Sequence, residues 1–488
     1  MAKHCTCSKM KKPWVVASAH LKNRDYFGCL NLLAHLENRD YDCSLIGSHV
    51  LHRSLEINRD WVVRERPDII IVPKAVDAPI LRKCIEPVKD EYDPVIIVIP
   101  TEFGFWIANP KPRDVSGSDK IILVSKEERD EVFPRLYSGY SPSILEVAGN
   151  PRFDIYSEKF GPLRKCREQL LAELDLLNVD QSKIITSGSR YFKADLHENY
   201  NDPFYHQQLN GKNSIWSRES ESSFRSFIKY LFDMRKESIE LILDLSKAKP
   251  DHTFIYKVHP LEGIEYYRKE LAGRKNIRVI NNYLISDILQ LSCLHIHHLC
   301  TTAVEAIAMG IPTVNYTPTY LKEFENKAKR DLKMGSFETE DSEQILSLIE
   351  KLKRSELNLT DVMKANGNKL ISKELGERVG SSGAECARLI DEYFESSVMR
   401  CRKIPYLDAN TNESQIKQRI ASLDNFHNNG KVSFFSANRQ GKSIIIRNEL
   451  KKVFQVLSKD ERYRPYNYDF RFKNYRKDLN EMKTKLFK

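Results

Sequence analysis

The chain of 488 residues carries ten cysteines, yet none of them stand in a CxxC spacing. That absence excludes a secreted disulfide framework and a ribbon-type zinc site. His4, Cys5 and Cys7 lie close enough to hold a metal, but at a position that reads better as a frayed terminus. Equally missing is any stretch near the ~18 apolar residues that a membrane span needs. The longest apolar runs, such as Val95 to Ile99, are short and β-branched and read as buried strands. The N-terminus is basic, but no apolar signal-peptide core follows it. The expectation is a cytoplasmic protein with reduced thiols. No short-period repeat is present.

What the chain does have is length for two or three domains and enough apolar residues, 41%, to fill their cores. Its net charge of +10 is unevenly placed. From Cys401 onward there are 20 Lys and Arg against 9 Asp and Glu, a surplus that accounts for the whole imbalance. The first 400 residues are therefore nearly neutral, and the basic character belongs to a tail rich in Asn and Tyr. Cations interleaved with tyrosines suit nucleic acid. They equally suit the anionic inner leaflet of a membrane. With no nucleic-acid module in the sequence, peripheral membrane contact or a partner protein is the favoured use of residues 396–488, with a solvated cationic face close behind.

Short non-alternating strands separated by helical stretches run through most of the chain. Trp14 to His20, Cys43 to Ile46, Pro67 to Pro73, Pro94 to Pro100, Ile121 to Ser125 and Ile144 to Ala148 read as strands of one parallel sheet covered on both faces. The pattern restarts at Lys183 to Ser189 and continues through His252 to Val258, Ile277 to Ile280, Cys293 to His297 and Thr313 to Tyr316. The predicted fold is α/β, with two Rossmann-like domains facing across a cleft. Residues 1–155 form the first, 156–179 a linker, 180–395 the second, and 396–488 a basic aromatic extension. Ligands of such sheets bind at the carboxyl ends of the strands.

The densest chemical signal is Leu299 to Tyr316, which reads as strand end, turn, short helix, turn and strand. Thr302 and Glu305 are spaced as a capping box, Gly310 stops the helix and Pro312 prevents its continuation. A helix start at the carboxyl end of a parallel strand is also an anion site, to which Thr301 and Thr302 would add hydroxyl donors. A second signal is Phe254 to Pro260, where Lys257 and His259 are two apart and so share a strand face. Together these cations and the helix end would neutralise a departing phosphate. Ser187, Gly188, Ser189 and Arg190 end the first strand of the second half, where glycine permits close backbone approach to a ligand. His295 and His297 share a strand face compatible with a metal, but lack a partner ligand at a familiar spacing and read as core. His298 lies nearest the predicted anion turn.

The sequence Lys257-x-His259-Pro260, followed by Ser286-Asp287 and the Thr301-Thr302-x-x-Glu305 helix, resembles the nucleotide-binding half of several GT-B enzymes. These include bacterial Kdo transferases, sialyltransferases and CDP-glycerol glycerophosphotransferases. The stretch Gly149 to Asp154, GNPRFD, is similar to one found in surface-carbohydrate biosynthesis proteins related to Kdo transferases. Arg24-Asp25 and Thr101-Glu102-Phe103-Gly104 sit where those proteins carry an Arg–acid pair and an acidic-Gly loop. The resemblance spans roughly residues 14–395. It implies that His259, Thr301 and Thr302 hold the donor's phosphate and cytidine, with Glu305 on the ribose.

The reading is a metal-independent glycosyltransferase of bacterial capsule or lipopolysaccharide synthesis. Its donor is a nucleotide-activated sugar, a CMP-Kdo-like one preferred, and its acceptor a glycan or lipid-linked glycan. No cofactor is expected. Ser187, Gly188, Lys257, His259, Pro260, His298, Thr301, Thr302 and Glu305 form the donor site. Arg24, Asp25 and Asp77 face the acceptor. His259 assists the leaving group, and Glu102, beside Phe105 and Trp106, is weighed equally as acceptor base and as a loop carboxylate capping backbone. A UDP-GlcNAc 2-epimerase-type enzyme, a CDP-glycerol-type polymerase and a non-catalytic assembly-complex protein are the competing readings.

Overall fold

The computed structural model describes residues 12–19, 22–47, 62–63, 65–100, 112–197, 200–201, 205–206, 221–260, 262–322, 331–354, 356–357, 359–401 and 475–487. Six strands form the first sheet: β1 Trp14–Ala19, β2 Asp42–Gly47, β3 Ile69–Val72, β4 Val95–Val98, β5 Lys120–Leu123 and β6 Leu145–Val147. Their order is β2-β1-β3-β4-β5-β6, with every pairing parallel. Successive side chains alternate between two buried faces. Val15 and Ala17 point toward helix α1 (Lys22–Glu37), while Val16, Ile70 and Val72 pack with Ala78, Leu81 and Ile85 of α2 (Asp77–Ile85).

The second sheet holds β7 Ile184–Gly188, β8 Thr253–Lys257, β9 Ile277–Ile280, β10 Leu294–His297, β11 Thr313–Tyr316 and β12 Phe337–Thr339. It is also all parallel, in the order β9-β8-β7-β10-β11-β12. Numbered within its own half, that is 3-2-1-4-5-6, the doubly wound order whose ligand crevice lies where the winding reverses, between β7 and β10. The 28-residue helix α3 (Glu221–Ala248) covers part of this sheet. It buries Phe224, Ile228, Leu231, Ile239, Ile242 and Leu245 at the three- and four-residue spacing of one helical stripe. The chain is thus α/β with two Rossmann-like domains.

Three segments pack differently from their sequence grouping. Leu170, Leu171, Leu174 and Leu176, read as linker, join Ile184, Ile255 and Ile280 in a core under the second sheet. Helix α5 (Ser382–Cys401), most of it assigned to the second half, lies instead on α1, with Cys386, Ala387 and Ile390 in the first core. Helix α6 (Tyr475–Phe487) follows it there, burying Leu479 and Met482 and pairing Lys483 with Glu37 at 3.2 Å. The described end of the basic extension therefore covers its own protein. Residues 402–474 lie outside the described part. Among the described residues, no helix is long and apolar enough to cross a membrane.

The GNPRFD stretch is the clasp between these parts. Gly149 has φ +79°, and a Cβ there would meet Ser382 Oγ at 2.4 Å, so this close crossing of chain on chain requires glycine. Asp154, fully buried, accepts the backbone N–H groups of Gly380, Ser382 and Gly383 at 2.7, 3.0 and 2.8 Å, and Asn31 Nδ2 at 2.8 Å. It holds the start of α5 against the first domain.

Candidate functional site

The parallel register sets Lys257 beside Gly188 and Ser187 beside Ile296, so β8, β7 and β10 end together. The missing side chain at Gly188 leaves room: a Cβ there would stand 3.6 Å from Thr302 Oγ1 and 4.0 Å from His295 Cε1. Lys257 is 8% exposed, and among the described residues its ammonium makes no hydrogen bond or ion pair. Burial pushes its pKa down to about 8, against the opposing pull of Glu305. Among the described residues it is a buried cation at a strand end with no direct ion pair, in the field of Glu305.

The strand stops at Lys257, so the alternation that would put His259 on the same face does not reach it. His259 lies in the following loop, half-buried, with its ring stacked on Phe192 at 5.7 Å and 24°. Phe192 is 36% exposed, and Lys193 Nζ stands 5.4 Å from its ring centroid. Lys193 is buried, makes no hydrogen bond or ion pair among the described residues, and is likewise pushed down to about 8 by burial. Pro260 is exposed. A buried carboxylate ties the two loops together. Glu262 accepts Ser189 Oγ at 3.0 Å, the Tyr191 N–H at 2.7 Å and the Tyr267 hydroxyl, while Ser189 Oγ accepts the His259 N–H at 2.7 Å. Burial raises Glu262 to about 7. No sequence signal separates this glutamate from a surface one; its role comes from its surroundings.

Helix α4 (Thr302–Ala308) begins where expected, but the capping box does not form. Thr301 takes the cap position with helical dihedrals and no side-chain capping bond. The Thr302 hydroxyl turns to His295 Nε2 at 2.8 Å. Glu305 turns toward the other domain, where its carboxylate accepts the Tyr156 hydroxyl at 2.7 Å and meets Arg152 at 3.6 Å. Buried at 2% exposure, Glu305 is raised by desolvation and drawn back by Arg152, Tyr156 and Lys257. The position expected to hold a ribose is therefore engaged by the GNPRFD segment. His298 also departs from expectation. Its Nδ1 bonds the Tyr316 carbonyl at 2.8 Å and its Nε2 bonds the Tyr230 hydroxyl, so both ring nitrogens are spent in the core. His297 is likewise buried, with Nε2 on Ser336 Oγ at 3.0 Å. Among the described residues, no group of three or more His, Cys, Asp or Glu is placed to hold a metal ion.

The residues expected to face an acceptor are less accessible. Asp25 is fully buried in the first turn of α1, and Asp77 is 2% exposed in the first turn of α2. Both carboxylates are buried within the first domain. Glu102, Phe105, Trp106 and the side chain of Arg24 lie outside the described residues.

No protein-family model and no curated protein sequence matches this chain. Solved structures overlap it at low identity. The UDP-GlcNAc 2-epimerase from Methanocaldococcus jannaschii is 13% identical with TM-score 0.46, covering 78% of this chain and 100% of that one. The UDP-GlcNAc 2-epimerase from Neisseria meningitidis is 13% identical with TM-score 0.46, covering 79% and 100%. A variant of the wall teichoic acid polymerase TagF is 12% identical with TM-score 0.46, covering 80% and 90%. Overlaps this distant assign no activity.

Proposed function

We propose that this chain is an enzyme acting on a nucleotide-activated sugar, with the nucleotide's phosphate seated at the carboxyl ends of β7 and β8. The carrying observation is Lys257, buried beside Gly188 with no direct ion pair among the described residues. A desolvated ammonium is costly alone and is stabilised when an anion enters. The same ammonium opposes charge building on a leaving phosphate. His259, Thr301 and the Ser187–Gly188 end of β7 complete the phosphate side of the site. Glycosyl transfer in surface-polysaccharide synthesis, from a CMP-linked or other nucleotide sugar, is one reaction for it. Epimerisation of the nucleotide sugar, which needs no acceptor, fits at least as well.

Thermal-shift titration against CMP, CDP, UDP and GDP tests the nucleotide site, because a ligand that binds the folded state raises the midpoint by mass action. At least one should shift it, and less so in Lys257→Met. Silence from all four would sink the proposal. UDP-GlcNAc, bound by the Neisseria enzyme, is then incubated with protein alone. A new sugar-nucleotide epimer identifies epimerisation, and unchanged sugar with binding intact turns the search to acceptors.

A further inference from the structure

Beneath the site, five groups form one buried chain of hydrogen bonds. Ser292 Oγ lies 2.7 Å from the Leu294 carbonyl and 2.9 Å from Thr186 Oγ1. Thr186 Oγ1 lies 2.9 Å from His295 Nδ1, and His295 Nε2 lies 2.8 Å from Thr302 Oγ1. Four contacts share four protons: one on each hydroxyl and one on a neutral imidazole. The carbonyl cannot donate, so Ser292 gives it its proton. Ser292 Oγ must then accept from Thr186, and Thr186 must accept from His295 Nδ1–H. That leaves Nε2 bare, and the Thr302 hydroxyl donates into it. No other arrangement satisfies all four contacts. His295 is fully buried, which pushes its pKa down to about 3 and keeps the ring neutral across the working range.

Resting on the nucleotide-sugar reading, we infer that Thr302 meets its ligand as a hydrogen-bond acceptor. The partner is a hydroxyl or N–H of the substrate's sugar or ribose, not a phosphate oxygen. Its one proton is spent on His295, and only lone pairs remain toward Gly188, where a Cβ would stand 3.6 Å from the hydroxyl. This reverses the donor role expected of Thr302 and leaves phosphate to Lys257, His259, Thr301 and the end of β7. His295 acts as a positioning residue: it sets the direction of the Thr302 hydroxyl without touching ligand.

The test is direct and needs no ligand. In protein labelled with 15N-histidine, His295 should be the neutral Nδ1–H tautomer from pH 5 to pH 8. Its Nε2 should shift toward the unbonded value in Thr302→Val and be restored in Thr302→Ser. An Nε2–H tautomer, or an Nε2 unmoved in Thr302→Val, overturns the inference. As a second arm, inorganic pyrophosphate should bind wild type and Thr302→Val within about twofold, and a tenfold loss in the variant would also overturn it. Failure of pyrophosphate to bind wild type counts against the nucleotide site, while the tautomer still decides the role of Thr302.

Discussion

Asp154 and Gly383 stand 229 residues apart in the chain and meet in a 2.8 Å hydrogen bond, carboxylate to backbone N–H. Through it the end of the chain's second half is fastened to the first domain. Replacing Asp154 with Ala leaves three buried backbone N–H groups without this acceptor and Asn31 with only the Pro151 carbonyl, a loss of about 3 kcal/mol. Asp154→Asn keeps one acceptor oxygen and should cost about half as much. Urea unfolding of the three proteins measures both.

Lys257→Met should separate stability from binding. Because the folded ammonium deprotonates near pH 8 and the unfolded one near 10.5, wild-type stability rises with pH between those values. Methionine removes that slope and should stabilise the protein below pH 8 by on the order of 2 kcal/mol. Nucleotide binding moves the other way. Wild-type affinity should fall above pH 8 as the charge is lost, and the variant should bind at least tenfold more weakly and without that dependence. Denaturation and calorimetric titration at pH 6.5 to 9.5 check the two halves.

Glu262 titrates in the opposite sense for stability. Its carboxyl takes a proton more readily folded, near pH 7, than unfolded, near 4.5, so this group's contribution is lost as pH rises through that window. Glu262→Gln should flatten the fall, worth roughly 3 kcal/mol between pH 4 and pH 8. If the slope survives the substitution, Glu262 is not its source.

The last helix offers a packing test. Leu479 is fully buried against α1 and α5. Leu479→Ala should cost about 3 kcal/mol through lost burial and a residual cavity. A helix lying free of the core would show a change within about 0.5 kcal/mol.

Much of the frame was legible because it follows from local rules. Ile69–Val72 and Val95–Val98 are short, β-branched and non-alternating, and a strand buried on both faces has no other way to look. The restart at Ile184 likewise announces a second sheet. Gly188 and Lys257, both singled out from the sequence, come side by side at the ends of their strands. The site was misread where a side chain had a choice of partners. Glu305 has the spacing to cap its own helix, yet turns to Arg152 and Tyr156. His298 sits next to the turn in sequence but spends both nitrogens on Tyr230 and Tyr316. Neither partner is within reach of a local pattern.

By itself the sequence determined the alternation of strand and helix, the two sheets and the glycine and lysine that end adjacent strands. Those depend on periodicity, on chain conformation and on residue size, all written locally. The tertiary structure decided that α5 and α6 belong to the first core, and that GNPRFD clasps the chain's distant parts. It also turned the Thr302 proton inward. Each of these rests on a hydrogen bond or a buried face completed by residues far away in the chain, where desolvation leaves a polar group no alternative partner.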